Sequence, residues 1–195
     1  MKTPVAQQSG FTLLEIMVVL AIIAGLLGLV SLNGSDTKVR DETGRFAAAL
    51  VVQMNLYREE AVYRNADYGL AMDSQEMLLL QWTDVRQRAQ STSMSAEELS
   101  QLQKNPWTAY SNAVLGVPKV PEGIRLSLSI DGAEVDFDEL LNSDDGPLPA
   151  LLFLSSEEYT AFDLTIENSA DNRFVFVIHG DGFNPVRKEL VTYES

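Results

Sequence analysis

The sequence predicts an α+β fold in which a long N-terminal helix packs on an antiparallel β-sheet domain. Residues 11–32 are almost wholly apolar, and residues 36–65 carry apolar side chains at helical spacing. After residue 65 the apolar period shortens to the alternation that is typical of strands. A long helix followed by a run of strands is the element order of the α+β class.

The N-terminal 32 residues combine a short polar segment with a long apolar one. Residues 1–10 read MKTPVAQQSG, and residues 11–32 read FTLLEIMVVLAIIAGLLGLVSL with Glu15 as their one charged residue. At about 1.5 Å per residue this apolar segment forms a helix of roughly 33 Å, enough to cross a bilayer core. We therefore expect a transmembrane helix over residues 11–32.

Residues 33–65 are predicted to continue this helix outside the membrane. The sequence NGSD at 33–36 has turn and N-cap chemistry, so a kink or weak point is expected there. From residue 36 an amphipathic helix is predicted, because apolar side chains recur every three or four residues. They are Phe46, Leu50, Met54, Tyr57 and Ala61.

Residues 66–195 are predicted to form a β-rich domain. A hairpin is expected from residues 67–73 and 76–82, and residues 124–130 alternate apolar and polar side chains as a half-buried strand does. Four more strands are expected at 150–154, 161–167, 173–179 and 186–191. A short helix is predicted to begin within SMSAEEL at 93–99, whereas residues 142–149 read as a loop and the insertion at 83–105 has no assigned role.

The composition and charge of the chain exclude several classes of function. The 195 residues are 46% apolar and 22% charged, typical of a folded domain, and the absence of cysteine excludes thiolate catalysis and iron–sulfur ligation. The net charge is −14, and residues 131–172 contain no Lys or Arg, so nucleic-acid binding is not expected. This surface is interpreted as solubilising, with recognition of a basic protein as the alternative.

The chain offers little catalytic equipment. His179 is its one histidine, and no G-x-S-x-G, HExxH or P-loop motif is present, so His179 is interpreted as a strand-end residue. No catalytic residue, metal ligand or cofactor is predicted. A group of carboxylates lacks EF-hand spacing and is not assigned to calcium: Asp136, Asp138, Glu139, Asp144 and Asp145. Six aromatic residues are predicted to lie in the core: Trp82, Trp107, Phe153, Phe162, Phe174 and Phe176.

The order of parts at the N-terminus is the most specific feature. A secretory signal is cut after its apolar segment, whereas here Gly10 stands directly before the apolar run, in GFTLLE. This arrangement resembles the type IV prepilin family. The resemblance implies that prepilin peptidase, a membrane aspartyl peptidase, cuts after Gly10 and methylates the new N-terminal amine of Phe11. It also implies a leader at residues 1–10 and a domain at 33–195 in the periplasm.

Glu15 is the second element of this motif. A charge within a membrane helix costs about 2.5–3.5 kcal/mol on insertion scales, so such a residue normally has a partner and a function. In a bundle of parallel helices, Glu15 of one subunit can pair with the Phe11 amine of its neighbour and set the axial register. The alternative is an interfacial Glu15 without a specific role. We interpret Glu15 as an assembly residue.

The C-terminal part resembles the general secretion pathway protein H group, minor pseudopilins of type II secretion systems. The resemblance lies in the order of residues 150–155, 159–167 and 174–182, the last closing with Gly-Asp-Gly. It implies a pilin-like, non-enzymatic subunit near the tip of a periplasmic pseudopilus that drives export of folded proteins. Expected partners are the major and minor pseudopilins, the inner-membrane secretion platform and the inner membrane. A minor type IV pilin and a single-pass membrane-anchored hydrolase are the alternatives.

Overall fold

The computed structural model describes residues 13–86, 88, 95–112 and 114–193, with the backbone alone for residues 27–36 and 138. Its first element is helix α1, Leu13–Arg64. The backbone at 33–36, where a kink or weak point is expected, is helical. One glycine costs a helix only about 1 kcal/mol, which the flanking turns offset. Within the described residues, no helix is both long and apolar enough to qualify as a membrane span.

Two compact units divide the chain, residues 1–38 and residues 39–195. In the second unit, α1 buries the stripe that its sequence predicts. Phe46 is 6% exposed, and Leu50, Met54, Tyr57 and Ala61 are completely buried. This half of α1 therefore supplies one side of the core of the second unit.

The C-terminus of α1 is closed by a left-handed residue. Asn65 has φ of 50°, and asparagine tolerates this conformation better than most residues. The N–H of Asn65 donates to the carbonyl of Val62, and the N–H of Ala66 donates to that of Ala61. These two bonds form a Schellman motif, which ends the helix and turns the chain into the first strand.

Four short strands form one antiparallel sheet. The predicted hairpin is confirmed as β1, Tyr68–Met72, and β2, Met77–Trp82, with Leu70 opposite Leu79. β3, Trp107–Ala109, pairs with β2, and β6, Leu151–Phe153, pairs with β1, so the strand order is β3-β2-β1-β6.

A second antiparallel sheet contains five strands in the order β5-β4-β7-β8-β9. They are β4, Ile124–Ile130; β5, Ala133–Glu134; β7, Phe162–Asn168; β8, Asp171–Gly180; and β9, Arg187–Thr192. The alternation predicted for β4 is present, since Ile124, Leu126 and Leu128 are buried and the residues between them are not. The sequence predicts one antiparallel β-sheet domain, and the structure divides its strands between two sheets.

Two short helices complete the described elements. Helix α2, Ala96–Lys104, begins at the predicted place, with a capping box in which Ser95 and Glu98 satisfy each other's backbone N–H groups. Helix α3, Phe137–Leu141, lies just before the predicted loop and was not expected. Of the six aromatic residues predicted for the core, the four phenylalanines are buried. Trp82 is 47% exposed, because it ends its strand and packs edge-on against half-buried Trp107.

Polar contacts fix α1 to the five-stranded sheet within the second unit. The Asn55 amide donates to the carbonyl of Val186 at 3.0 Å and its oxygen accepts from the Val186 N–H at 2.9 Å, as a neighbouring strand would. Asn168 donates to buried Thr43 at 3.0 Å. Lys188 donates to the carbonyl of Gly44 and lies over the Phe176 ring. These contacts set the position of β9 along the helix.

Tyr57 provides a direct test of this packing. Its ring is completely buried, and its hydroxyl donates to the carbonyl of Gly116 at 2.5 Å. Tyr57→Phe removes only this hydrogen bond and is expected to lower the free energy of unfolding by about 1 kcal/mol. The measurement is urea denaturation of the full chain in detergent. Tyr63→Phe is the control, since Tyr63 is 83% exposed; equal effects from both substitutions would contradict the packing.

Candidate functional site

The N-terminal site predicted from the sequence is described in part. Gly10 and Phe11 lie outside the described residues, so the cleavage and methylation assignments remain predictions. Glu15 lies in the first turn of α1 with an exposed side chain. Around it the helix exposes large apolar side chains, each at least 46% accessible: Leu13, Leu14, Ile16, Met17, Val18, Val19, Leu20, Ile22, Ile23 and Leu26.

His179 lies on the outer face of the five-stranded sheet between two carboxylates. Its Nδ1 is 2.6 Å from Asp163 Oδ1, and its Nε2 is 3.5 Å from Glu189 Oε2. Asp163 and His179 are direct partners on β7 and β8. Because both ring nitrogens face carboxylates, neither is directed at a hydroxyl nucleophile, as a Ser-His-Asp site requires.

The predicted acidic residues are not gathered into a metal site in the described part of the chain. No group of three or more histidine, cysteine, aspartate or glutamate side chains there has the proximity to hold a metal ion. Asp145 instead lies 3.4 Å from Lys104 of α2, and the side chain of Asp138 is outside the described set. The arrangement favours a solvated acidic surface.

A loop that the sequence analysis treated only as a break is held by several hydrogen bonds. Residues 180–185 lead from the last residue of β8 towards β9, and Asp181 organises them. Its carboxylate accepts from the Asn184 side-chain amide at 2.8 Å and from the backbone N–H groups of Phe183 and Asn184 at 3.0 and 2.8 Å. These hydrogen bonds hold the pKa of Asp181 well below its usual range.

Two residues from outside the loop, Tyr159 and Arg58, donate hydrogen bonds to its backbone carbonyls. The Tyr159 hydroxyl donates to the carbonyl of Asn184 at 2.6 Å. Arg58 of α1 donates to the carbonyl of Phe183 at 2.5 Å and lies 4.6 Å from the centre of the Tyr159 ring. The sequence signal for this loop is the clustering of Asp, Gly, Asn and Pro, which indicates Asx-type turns. The hydrogen bond from Arg58 to this loop has no such sequence signal, because Arg58 is distant from the loop along the chain.

Comparisons with known proteins agree with the sequence motif. The chain matches the prokaryotic N-terminal methylation motif over residues 6–31, a range that includes Gly10, Phe11 and Glu15. It is 26% identical over 181 residues to Type II secretion system protein H of Pseudomonas aeruginosa, covering 93% of this chain and 95% of that protein.

Two solved structures of the minor pseudopilin EpsH from the type II secretion system of Vibrio cholerae also resemble the chain. One has a TM-score of 0.47 at 22% identity, and the match covers 82% of this chain and 97% of the EpsH chain. The other has a TM-score of 0.44 at 21% identity, and the match covers 81% of this chain and 93% of the EpsH chain.

Proposed function

We infer that this chain is a minor pseudopilin of a type II secretion system, a structural subunit of the protein H kind. The observation that carries this inference is similarity to a protein H along nearly the whole length of both proteins. The methylation motif at residues 6–31 supports a pilin-like subunit independently of the β domain, and it is common to pseudopilins and type IV pilins. The two-carboxylate environment of His179 gives no support to the alternative of a membrane-anchored hydrolase.

Maturation is proposed to begin at the junction of Gly10 and Phe11. Prepilin peptidase removes residues 1–10 and methylates the Phe11 amine, and the motif match across this junction supports the step. The product has a cationic N-terminus at the start of an apolar helix. A precursor that is not cut retains Lys2 and its leader, and its Phe11 nitrogen stays a neutral amide.

The mature chain is proposed to be a single-pass protein of the inner membrane with residues 33–195 in the periplasm. The exposed apolar side chains between Leu13 and Leu26 support this placement, since burying each in lipid or in a neighbouring helix is favourable by roughly 1.5–3 kcal/mol. The hydrophobic surface of the second unit is largely covered by its own sheets and α1.

Glu15 is proposed to direct assembly with other pseudopilins. A carboxylate in an apolar helix bundle is favourable only when it is paired, and the Phe11 amine of an adjacent subunit supplies the opposite charge. The subunit is proposed to lie at or near the tip of the pseudopilus, whose growth from the inner-membrane platform drives folded proteins across the outer membrane.

Deletion and complementation test the function. Cells that lack this chain are expected to accumulate folded secretion substrates in the periplasm, and the wild-type gene is expected to restore export. A minor type IV pilin carries the same methylation motif, so pilus formation is measured in the same strain. Normal secretion with loss of pili would contradict the pseudopilin assignment and support the pilin.

A further inference from the structure

Phe183 differs in exposure from the other phenylalanines in the part of the chain that the structure describes. Its side chain is 68% exposed at the tip of the loop formed by residues 180–185. The other six phenylalanines of the described residues are at most 8% exposed: Phe46, Phe137, Phe153, Phe162, Phe174 and Phe176. An aromatic ring held in water forgoes the favourable free energy of burial, so a partner that covers Phe183 gains it.

The backbone that carries Phe183 is fixed before any partner arrives. Asp181 accepts the Phe183 N–H, and Arg58 donates to the Phe183 carbonyl, so both backbone polar groups are satisfied within the domain. Gly182 supplies a φ of 92°, which side-chain-bearing residues rarely adopt. Binding therefore costs little loop entropy, as expected of an anchor residue at an interface.

A shallow apolar depression adjoins this loop through Arg58. Arg58, Glu59, Val62, Tyr63 and Glu157 line it. Tyr63 is 83% and Val62 40% exposed. The surface defined by Glu59, Val62, Tyr63, Glu157 and Phe183 is called the Phe183 surface below. It lies wholly within the second unit.

The charges of this surface indicate the chemistry of its partner. Glu59 and Glu157 are exposed in the lining. Arg58, the one cation of the lining, is already hydrogen-bonded to Phe183 and stacked on Tyr159. The lining thus combines apolar contact with two glutamates against one arginine, a net negative charge that complements a Lys or Arg side chain on an apolar surface.

We propose that the Phe183 surface docks another subunit of the secretion fibre through a basic, apolar patch on that subunit; this rests on the proposed function. A second copy of this chain is disfavoured, because each copy has a net charge of −14. An anionic membrane leaflet is disfavoured by the two glutamates of the surface.

Photo-crosslinking in secreting cells tests the proposal. In the test variant, the full chain carries p-benzoylphenylalanine in place of Phe183. In the matched control, the same amino acid replaces Tyr193, which follows β9 and is 57% exposed. The position 183 probe is expected to label one fibre protein, within a peptide that contains Lys or Arg. Labelling of a second copy, of lipid or of a peptide without a basic residue would overturn the proposal, as would no adduct.

Charge reversal tests the electrostatic part. Glu59→Lys with Glu157→Lys is expected to reduce the position 183 adduct by about tenfold or more, as loss of an interface hot spot does. The control pair is Glu122→Lys with Glu134→Lys, both exposed elsewhere, which makes the same change in net charge. An adduct unchanged by the first pair would overturn the proposal. Failure of the wild-type chain to restore secretion would instead contradict the proposed function, whatever the crosslink shows.

Discussion

Glu15→Ala is expected to reduce secretion to the level of the deletion strain while the protein still accumulates in the membrane. Alanine keeps helix propensity high and removes the carboxylate that is proposed to pair with a neighbour's Phe11 amine. Residue 15 belongs to the first compact unit, so the fold of residues 39–195 is expected to be unchanged. Secretion of a reporter substrate at native expression is the measurement, with crosslinking between subunits as the assembly readout.

Two further variants test whether secretion depends on the charge of the Glu15 side chain and not on its size. Glu15→Gln keeps the size of the side chain and is expected to behave as alanine does, because it lacks the negative charge. Val18→Ala is the matched control, since Val18 is half exposed on the same helix and carries no charge. Full complementation by the alanine variant would show that Glu15 has no assembly role in this subunit.

Gly180→Ala is expected to destabilise the β domain strongly. An added Cβ would lie 2.6 Å from Phe162 Cε1 and 2.7 Å from Tyr159 Cε2, distances that require both rings to shift. Such overpacking typically costs 1–3 kcal/mol, and we expect about 3 kcal/mol here because two packed rings must move. Urea denaturation of the full chain in detergent measures the loss.

Gly116→Ala is the matched control for this effect. A Cβ at position 116 meets no atom within 4 Å, so the free energy of unfolding should change by less than about 0.5 kcal/mol. Tyr159 also holds the loop at residues 180–185, so Gly180→Ala should weaken crosslinking from position 183 as well. Equal stability of the two alanine variants would contradict the packing around Gly180.

Periodicity predicted the elements that depend on one local pattern. The buried stripe of α1, the hairpin of β1 and β2 and the capping box at Ser95 and Glu98 all follow from residues less than twenty positions apart. The division into two sheets does not, because β1 takes β6 as its second neighbour from a distant part of the chain. Helix α3 was missed, since five residues provide too short a period.

The two candidate sites likewise differ in whether the sequence alone could predict them. Gly10, Phe11 and Glu15 are recognisable because the function proposed for them depends on order and spacing along the chain. The Phe183 surface could not be predicted, since its defining contact joins Arg58 to Phe183, 125 residues apart. An exposed phenylalanine is indistinguishable from a buried one until the tertiary structure places it.

The identity of the mature N-terminus tests the central claim most directly, since the proposed pairing of Glu15 with the Phe11 amine depends on it. Mass spectrometry of the N-terminal peptide from native membranes is predicted to show a chain that begins with N-methylated Phe11. Substitution of Gly10 by a bulky residue is predicted to leave the precursor uncut. A mature protein that still begins at Met1 or Lys2 would contradict the account.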